Sequence, residues 1–279
     1  MKRKFGMTKT KPDHTFVVLA YGQSPYLEGC LESLKKQTEL GKVLIATSTP
    51  NQLIDKLSKK YGWELRINKE AKGIASDWNF ALRQAKTKYT TLAHQDDIYF
   101  PEYLELMWEA AEKAQDSLLI FSDYEELVHD SNNAEPLVRN KSLNLTVKRW
   151  LVKSGFGRKQ AISEIKKKNQ LLRFGSPIPC PAVMYNMKSI ASNFKFSTAY
   201  KINMDWDAWQ KLADAKGEFV QVNKILMQHR IHLDSATSNG IADNSRQKED
   251  REMFARFWPK PLTFLISKLY SLSYASNEI

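Results

Sequence analysis

The amino-acid sequence predicts an α/β fold: a mixed, mostly parallel sheet flanked by helices, with a C-terminal helical appendage. Three observations carry that expectation. Strand-like and helix-like periods alternate through the first hundred residues, the pattern of a parallel sheet with crossover helices. The 279 residues suffice for one large core plus a smaller attachment. The composition, 42% hydrophobic and 26% charged, is that of a packed globular chain and excludes a disordered or fibrous one.

The elements follow in order. "TFVVLA" is a short β-rich run, and in the following "PYLEGCLESLKKQ" Leu27, Cys30, Leu31 and Leu34 recur at helical spacing. "KVLIAT" predicts a second strand. "NQLIDKLSKKYG" predicts a helix with Leu53, Ile54 and Leu57 on one face and Gly62 near its end. "WELRIN" is a third strand, "IASDWNFALRQAK" a helix that turns Trp78, Ala81, Leu82 and Ala85 inward, and "YTTLAH" a fourth strand. Pro101 then opens the helix "PEYLELMWEAAEKA", proline being tolerated in a first turn.

After the strand "SLLIFSDYEEL" the pattern weakens until "PAVMYNM", and the basic stretch between them predicts two short helices broken at Gly155 and Gly157. "INMDWDAWQKLADAKG" predicts a helix with carboxylates at its start, and "FVQVNKILMQHRIH" a late strand running into a polar loop. From Asn239 a charged helix leads into "FWPKPLTFLISKLYSLSY", where Leu262, Leu265, Ile266, Leu269 and Leu272 form an apolar face. The expected division is therefore a main domain over 1–238, with a basic insertion at 141–175, and a helical segment over 239–279.

Charge and cysteine content narrow the function classes. Cys30 and Cys180 are the only cysteines and have no metal-ligand spacing, so a reducing cytoplasmic setting is expected, with neither a disulfide framework nor a zinc site. The apolar run at 16–20 is far too short for a signal sequence or membrane span. Of the net charge of +11, most falls between Lys141 and Arg173, where ten Lys or Arg face one acid, Glu164. Such a block suits an anionic membrane surface or a lipid pyrophosphate, or is a solvated helical face. With Trp150 and Phe156 as its few aromatics it lacks a recognition element for nucleic acid, and none is expected as a partner. The C-terminal apolar face predicts either an interfacial helix at the inner face of the plasma membrane or packing on this domain or a sister subunit.

Three constellations carry chemistry. In "HQDD" the adjacent Asp96 and Asp97 follow a strand end, where ligands bind in such sheets, and can hold a hard divalent cation bridging two phosphates. The same pattern also describes a capped turn. In "NMDWDAW" the Asp205 carboxylate sits beside Trp206 and Trp209, where desolvation would raise its pKa toward that of a general base, although Asp205 and Asp207 also suit a helix cap. In "QHRIHLDSATS" Arg230, His232 and Ser235 form a donor-rich set suited to phosphate oxygens.

In this order the motifs resemble the family 2 glycosyltransferases of bacterial surface polysaccharide assembly, enzymes of the GT-A (Rossmann-like) fold. The resemblance spans roughly 15–238. It implies that Tyr21 stacks near the nucleotide base, that Asp96 and Asp97 face metal, ribose and diphosphate, and that Asp205 is the base. By the same resemblance Arg230, His232 and Ser235 close over the donor pyrophosphate. The sequence departs from the family pattern where "IATSTPN" lacks the acidic residues that often follow the second strand. Asp77 and Trp78 replace a small residue and a cation, leaving Lys72 as the positive charge there; His94 stands where an Asp is usual, and Met204 where a Glu precedes the base.

The expected activity is inverting transfer of a sugar from a nucleotide-diphosphate donor, a UDP-sugar first. The acceptor is a hydroxyl of a glycan or lipid-pyrophosphate-linked glycan, and Mn²⁺ or Mg²⁺ assists. The alternative class is a catalytically silent relative that binds glycans or scaffolds a partner enzyme.

Overall fold

The structure, a computed structural model, describes residues 11–39, 41–70, 73–128, 136–232 and 245–271. Four parallel strands form its first half: β1 (His14–Leu19), β2 (Lys42–Thr47), β3 (Glu64–Ile67) and β4 (Tyr89–His94), in the order β3-β2-β1-β4. Between them run α1 (Leu27–Lys35), α2 (Gln52–Tyr61) and α3 (Ile74–Gln84), as the alternating periods predict. β1 is buried on both faces, which is why it reads as a continuous apolar run. Its side chains nonetheless alternate: Val17 joins one core cluster with Leu44 and Leu92, while Phe16 and Val18 join the other with Leu31 and Ile45. Both ends of α2 were encoded locally. Asn51 Oδ1 accepts the Ile54 N–H, and Gly62 terminates the helix with φ of 67°.

The sheet continues through antiparallel β9 (Val183–Asn186) to β6 (Ser117–Val128) and β10 (Glu218–Ile231), which run parallel to each other, and closes on β5 (Ile98–Tyr99). β7 (Leu137–Arg139) pairs with β6 and β8 (Ala161–Ile162) with β10. α4 (Tyr103–Lys113) connects β5 to β6, and α7 (Met204–Asp214) precedes β10. β5, β7 and β8 have no counterpart in the sequence reading, because two or three residues cannot establish a period.

The basic segment departs from expectation. α5 (Leu143–Phe156) runs through Gly155 without a break and stops at Gly157. Gly155 instead permits contact with α6 (Ile165–Leu172): a Cβ there would lie 3.2 Å from the Leu171 Cβ. Nor is the block only a solvated face. Lys168 is fully buried and donates to the carbonyls of Ala215 and Gly217 at 2.6 and 2.9 Å, capping the end of α7. Arg149 ties α5 to the sheet through the Asp123 carboxylate and the Tyr124 carbonyl, at 2.8 and 2.9 Å.

The last two helices are α8 (Ser245–Ala255) and α9 (Lys260–Ser271). Met253 and Phe254 enter the same core cluster as Trp206, and the Trp258 indole donates to the Arg173 carbonyl at 2.8 Å. On α9 the body-facing side differs from the predicted apolar face. Thr263 and Ser267 are buried and Ile266 and Tyr270 pack on the core, whereas Leu262, Leu265 and Leu269 face outward; Leu272 lies outside the described residues. Close approach favours the small side chains inward, which turns the leucines out. Among the described residues no helix is long and apolar enough to cross a membrane.

Candidate active site

The parallel strands β1, β2 and β4 end at one edge, and the loops beyond them are bonded to each other. Gln95 grips the first loop from both directions, its carbonyl accepting the Tyr21 N–H at 2.9 Å and its amide donating to the Tyr21 carbonyl at 3.1 Å. Thr49 accepts the Gly22 N–H at 2.7 Å and Asn51 donates to the Gly22 carbonyl at 2.8 Å. Ser48 donates to Asp77 Oδ2 and Asn68 to Asp77 Oδ1, both at 2.8 Å. The polar residues after β2 thus brace their neighbours. A carboxylate does lie against that loop, Asp77 of α3, with both oxygens engaged by Ser48 and Asn68. Sequence reading registered Asp77 only as a departure, since nothing local shows that α3 brings it against Ser48.

Asp97 is almost wholly buried. Its Oδ1 accepts the Arg230 N–H at 2.9 Å and lies 3.1 Å from His229 Nδ1; its Oδ2 is buried with no partner among the described residues. Burial works against a charged His229, but the Asp97 charge and hydrogen bond outweigh it and raise the imidazole's pKa. Asp96, half-buried, accepts from Ser24 at 3.2 Å and lies 3.4 Å from His232 Nε2. Burial pushes its pKa upward, yet the His232 hydrogen bond, the charges of His232 and His94 and the Ser24 bond together hold it below the usual carboxylate value. Arg230 lies at the end of β10 rather than in the loop beyond it. Its Nε donates to the Asp96 carbonyl at 2.8 Å and its guanidinium lies 4.4 Å from the Tyr26 ring centroid. His94, against Trp78 at 4.9 Å, is kept neutral by burial, and its Nε2 has no partner among the described residues.

Asp205 occupies the first turn of α7. Burial pushes its carboxyl up to about 6, against a lowering from the Trp206 N–H, which donates to Oδ1 at 2.6 Å. The two flanking tryptophans are fixed by their indoles, Trp206 on the Leu172 carbonyl at 3.1 Å and Trp209 on the Ile178 carbonyl at 3.0 Å. Asp207 is held in the structure itself, by Lys211 at 2.6 Å and Arg256 at 2.8 Å. The start of α7 is clamped from α8. The buried Glu249 carboxylate accepts the N–H groups of Lys201, Ile202 and Asn203 at 2.7, 2.9 and 2.9 Å, and Asp250 accepts the Asn203 side chain at 2.6 Å. Sequence reading missed this clamp, for "QKEDRE" carries only the signature of a charged helix.

These groups meet in one cavity of about 620 Å³, lined by Tyr21, Asp96, Asp97, Asp205, Arg230 and His232 among others. Lys72 and Ser235 lie outside the described residues. Lys148, Arg246 and Tyr270 also line the cavity and were not singled out in sequence, because α5, α8 and α9 are brought there only by tertiary packing. Among the described residues no group of three or more His, Cys, Asp or Glu is placed to hold a metal. Two carboxylates, one with a buried oxygen that has no partner among the described residues, nevertheless fit the ligand habit of Mg²⁺-like cations, which take one or two carboxylates and complete their shell with substrate phosphates and water.

The chain belongs to glycosyl transferase family 2, whose sequence profile matches residues 15–189. That match ends before α7 and β10. No curated protein matches significantly. Similar solved structures share the GT-A fold at low identity. TarS of S. aureus, in complex with UDP-GlcNAc, is 15% identical with a TM-score of 0.58, over 91% of this chain and 70% of that one. In another TarS structure (14% identity, TM-score 0.56, 91% of this chain) this chain spans 42% of the TarS chain. Mannosyltransferase PcManGT from Pyrobaculum calidifontis, in complex with GDP-Man and Mn²⁺, is 12% identical with a TM-score of 0.59, over 94% and 70%. Glucosyl-3-phosphoglycerate synthase from Mycobacterium tuberculosis, in complex with Mn²⁺ and UDP-glucose, is 12% identical with a TM-score of 0.54, over 85% and 76%.

Glu249→Ala leaves three backbone N–H groups at the start of α7 without their acceptor. A loss of about 3 kcal/mol in stability is expected in urea denaturation, at about 1–3 kcal/mol per buried donor left unpaired and partly recovered by water.

Proposed function

We propose that the protein is an inverting glycosyltransferase that moves a sugar from a nucleotide-diphosphate donor, a UDP-sugar first, to a hydroxyl of a glycan or lipid-linked glycan in cell-surface polysaccharide synthesis. One observation carries the reading: a single cavity is lined both by the Asp96-Asp97 pair beyond β4 and by Asp205, whose carboxyl titrates at about 6. A carboxylate with that pKa is ionised at neutral pH yet retains proton affinity, as a general base requires. The solved relatives in complex with UDP-GlcNAc, GDP-Man and UDP-glucose support the donor class.

In this reading the acceptor oxygen attacks the anomeric carbon as its proton passes to Asp205, and the bond from that carbon to the diphosphate oxygen breaks on the opposite face. Tyr21, 62% exposed, offers a ring for the base to stack on. Arg230 and His232 offer cationic donors to the diphosphate, and Lys72 and Ser235, which lie outside the described residues, are proposed to add an ammonium and a hydroxyl. Asp96 and Asp97 would hold the divalent cation, Mn²⁺ or Mg²⁺. When bound, that ion neutralises charge on the departing nucleotide diphosphate.

An anionic membrane surface is the proposed setting, at the cytoplasmic face. Leu143, Val147 and Trp150 share one exposed stripe of α5, and Leu262, Leu265 and Leu269 one of α9, with Lys153, Lys260 and Lys268 exposed on the same helices. The proposed domain division, 1–238 and 239–279, puts the second stripe on the C-terminal segment.

Asp205→Asn is expected to keep donor affinity while kcat falls by about 10² to 10⁴; full turnover would exclude Asp205 as base. The wild-type rate should lose activity below an apparent pKa of about 6, since protonation removes the base. For the metal, titration calorimetry of UDP should show binding with Mn²⁺ that EDTA or Asp97→Asn abolishes; equal affinity under all three conditions would reject the cation. On the surface, flotation with phosphatidylglycerol vesicles should recover the protein, and the triple substitution Leu262→Ser, Leu265→Ser, Leu269→Ser should leave it at the bottom. Unchanged flotation, or loss of a dimer instead, would remove the membrane assignment.

A further inference from the structure

The cavity extends past Asp205 into a region that the donor reading leaves unused. It is lined there by Lys148 of α5, Arg246 of α8 and Tyr270 of α9. We propose that Lys148 and Arg246 form an anion subsite that holds a phosphate group of the acceptor beside Asp205, so that the attacked sugar is passed to a hydroxyl of a phosphate-bearing molecule. The inference rests on the glycosyl-transfer reading and narrows its acceptor.

Lys148 carries the argument. Its Nζ donates to the Tyr124 hydroxyl at 2.8 Å and lies 5.5 Å from that ring's centroid. Among the described residues no carboxylate lies within ion-pair distance of it. The adjacent Arg149 shows what a structural cation looks like in this helix: it is paired with Asp123 and bonded to two backbone carbonyls. Tyr124 does not neutralise Lys148, because burial raises the phenol's pKa and keeps it protonated. A half-buried ammonium facing a cavity, with a neutral phenol as neighbour, retains its full charge for a ligand.

Arg246 arrives from a different element. Its Nε lies 3.9 Å from Asp250 Oδ2, a long ion pair, and the other oxygen of Asp250 is engaged by Asn203. Both cations are close enough to Asp205 for their charges to be felt by its carboxyl. Besides Asp205 and the Asp250 beside Arg246, a further carboxylate, Glu126, lines the cavity, and its charge is felt by Tyr124 and His229. A point-charge ammonium and a planar guanidinium converging from two helices are complementary to the several oxygens of a phosphate, and a neutral glycan would leave the Lys148 ammonium with no anion within ion-pair distance among the described residues.

The chemistry fits a phosphate in a soluble or polymeric acceptor as well as one in a lipid diphosphate, and the test separates them. Protein saturated with UDP and Mn²⁺, so that the donor side is filled, is titrated with glycerol 3-phosphate, a short-chain isoprenyl diphosphate and neutral glycerol. At least one phosphorylated probe should bind and glycerol should not; the tighter probe identifies the source. Lys148→Gln and Arg246→Gln should each weaken that binding by about tenfold or more while UDP affinity stays within about twofold, which also shows that the variants are folded. The subsite is overturned if neither phosphorylated probe binds the wild type, if both variants bind as the wild type does, or if Lys148→Gln weakens UDP itself and so belongs to the donor side. Failure of wild-type protein to bind UDP would strike first at the glycosyl-transfer reading, and the acceptor subsite would fall with it.

Discussion

The carboxylate of Asp97 is the constraint on which the candidate site depends. One oxygen joins the end of β4 to the end of β10 through the Arg230 N–H and His229, strands that are separated in the sheet by β9 and β6. The Arg230 side chain returns the favour by holding the Asp96 carbonyl. Neither aspartate could adopt its place if β10 ended elsewhere, and the long β6-β10 pairing, with its register shifts near Val222 and Ile225, fixes where it ends. The second oxygen, buried and without a partner among the described residues, is what remains after the fold has taken its share. A polar atom left in that condition is costly to the fold, and sites that bind ligands are where such costs are tolerated.

A second carboxylate does for Asp205 what Asp97 does for the loops beyond β4. Glu249 collects three consecutive N–H groups just before α7, which fixes both the position and the direction of the helix start. α8 and α9 also supply Phe254 and Tyr270 around Trp206, with ring centroids 5.0 and 6.2 Å away, and so help to bury the Asp205 surroundings. The C-terminal helices therefore act on the first turn of α7 through hydrogen bonds and through dielectric. Their packing links the pKa of one carboxyl to a segment some forty residues further along the chain.

Local patterns made the first half of the fold legible. Strands that alternate with amphipathic helices need no long-range information, and Asn51 and Gly62 announce both ends of α2. Asp96, Asp97 and Asp205 suit helix caps as well when taken singly, and they were legible as candidates through their placement at a strand end and beside tryptophans together with the order of the motifs. What the sequence could not show is always a partner far along the chain: Asp77 against Ser48, Glu249 against the α7 start, Lys168 inside the core instead of on a basic face. Leu262, Leu265 and Leu269 make the converse case. Their periodic apolar face reads equally as interfacial or as packed, and the side chosen for packing is the one whose smaller residues, Thr263 and Ser267, allow close approach.

Across the cavity, neighbouring ionisable groups are driven in opposite directions by their surroundings. Asp96 is held ionised by His232 and Ser24 despite its burial, His94 is held neutral by burial, and Asp205 is lifted to about 6 because its compensating bonds are fewer. Two carboxyls with the same intrinsic chemistry are thereby suited to different work, one to stand against cations at any physiological pH and one to exchange a proton. The separation needs no unusual residue. It follows from where donors lie: beside Asp96 there are two side-chain donors, while beside Asp205 the N–H of Trp206 is the main one and the cations Lys148 and Arg246 act only through space. An anion bound between those cations would screen their charge and let the Asp205 pKa rise further, strengthening the base when the acceptor is in place.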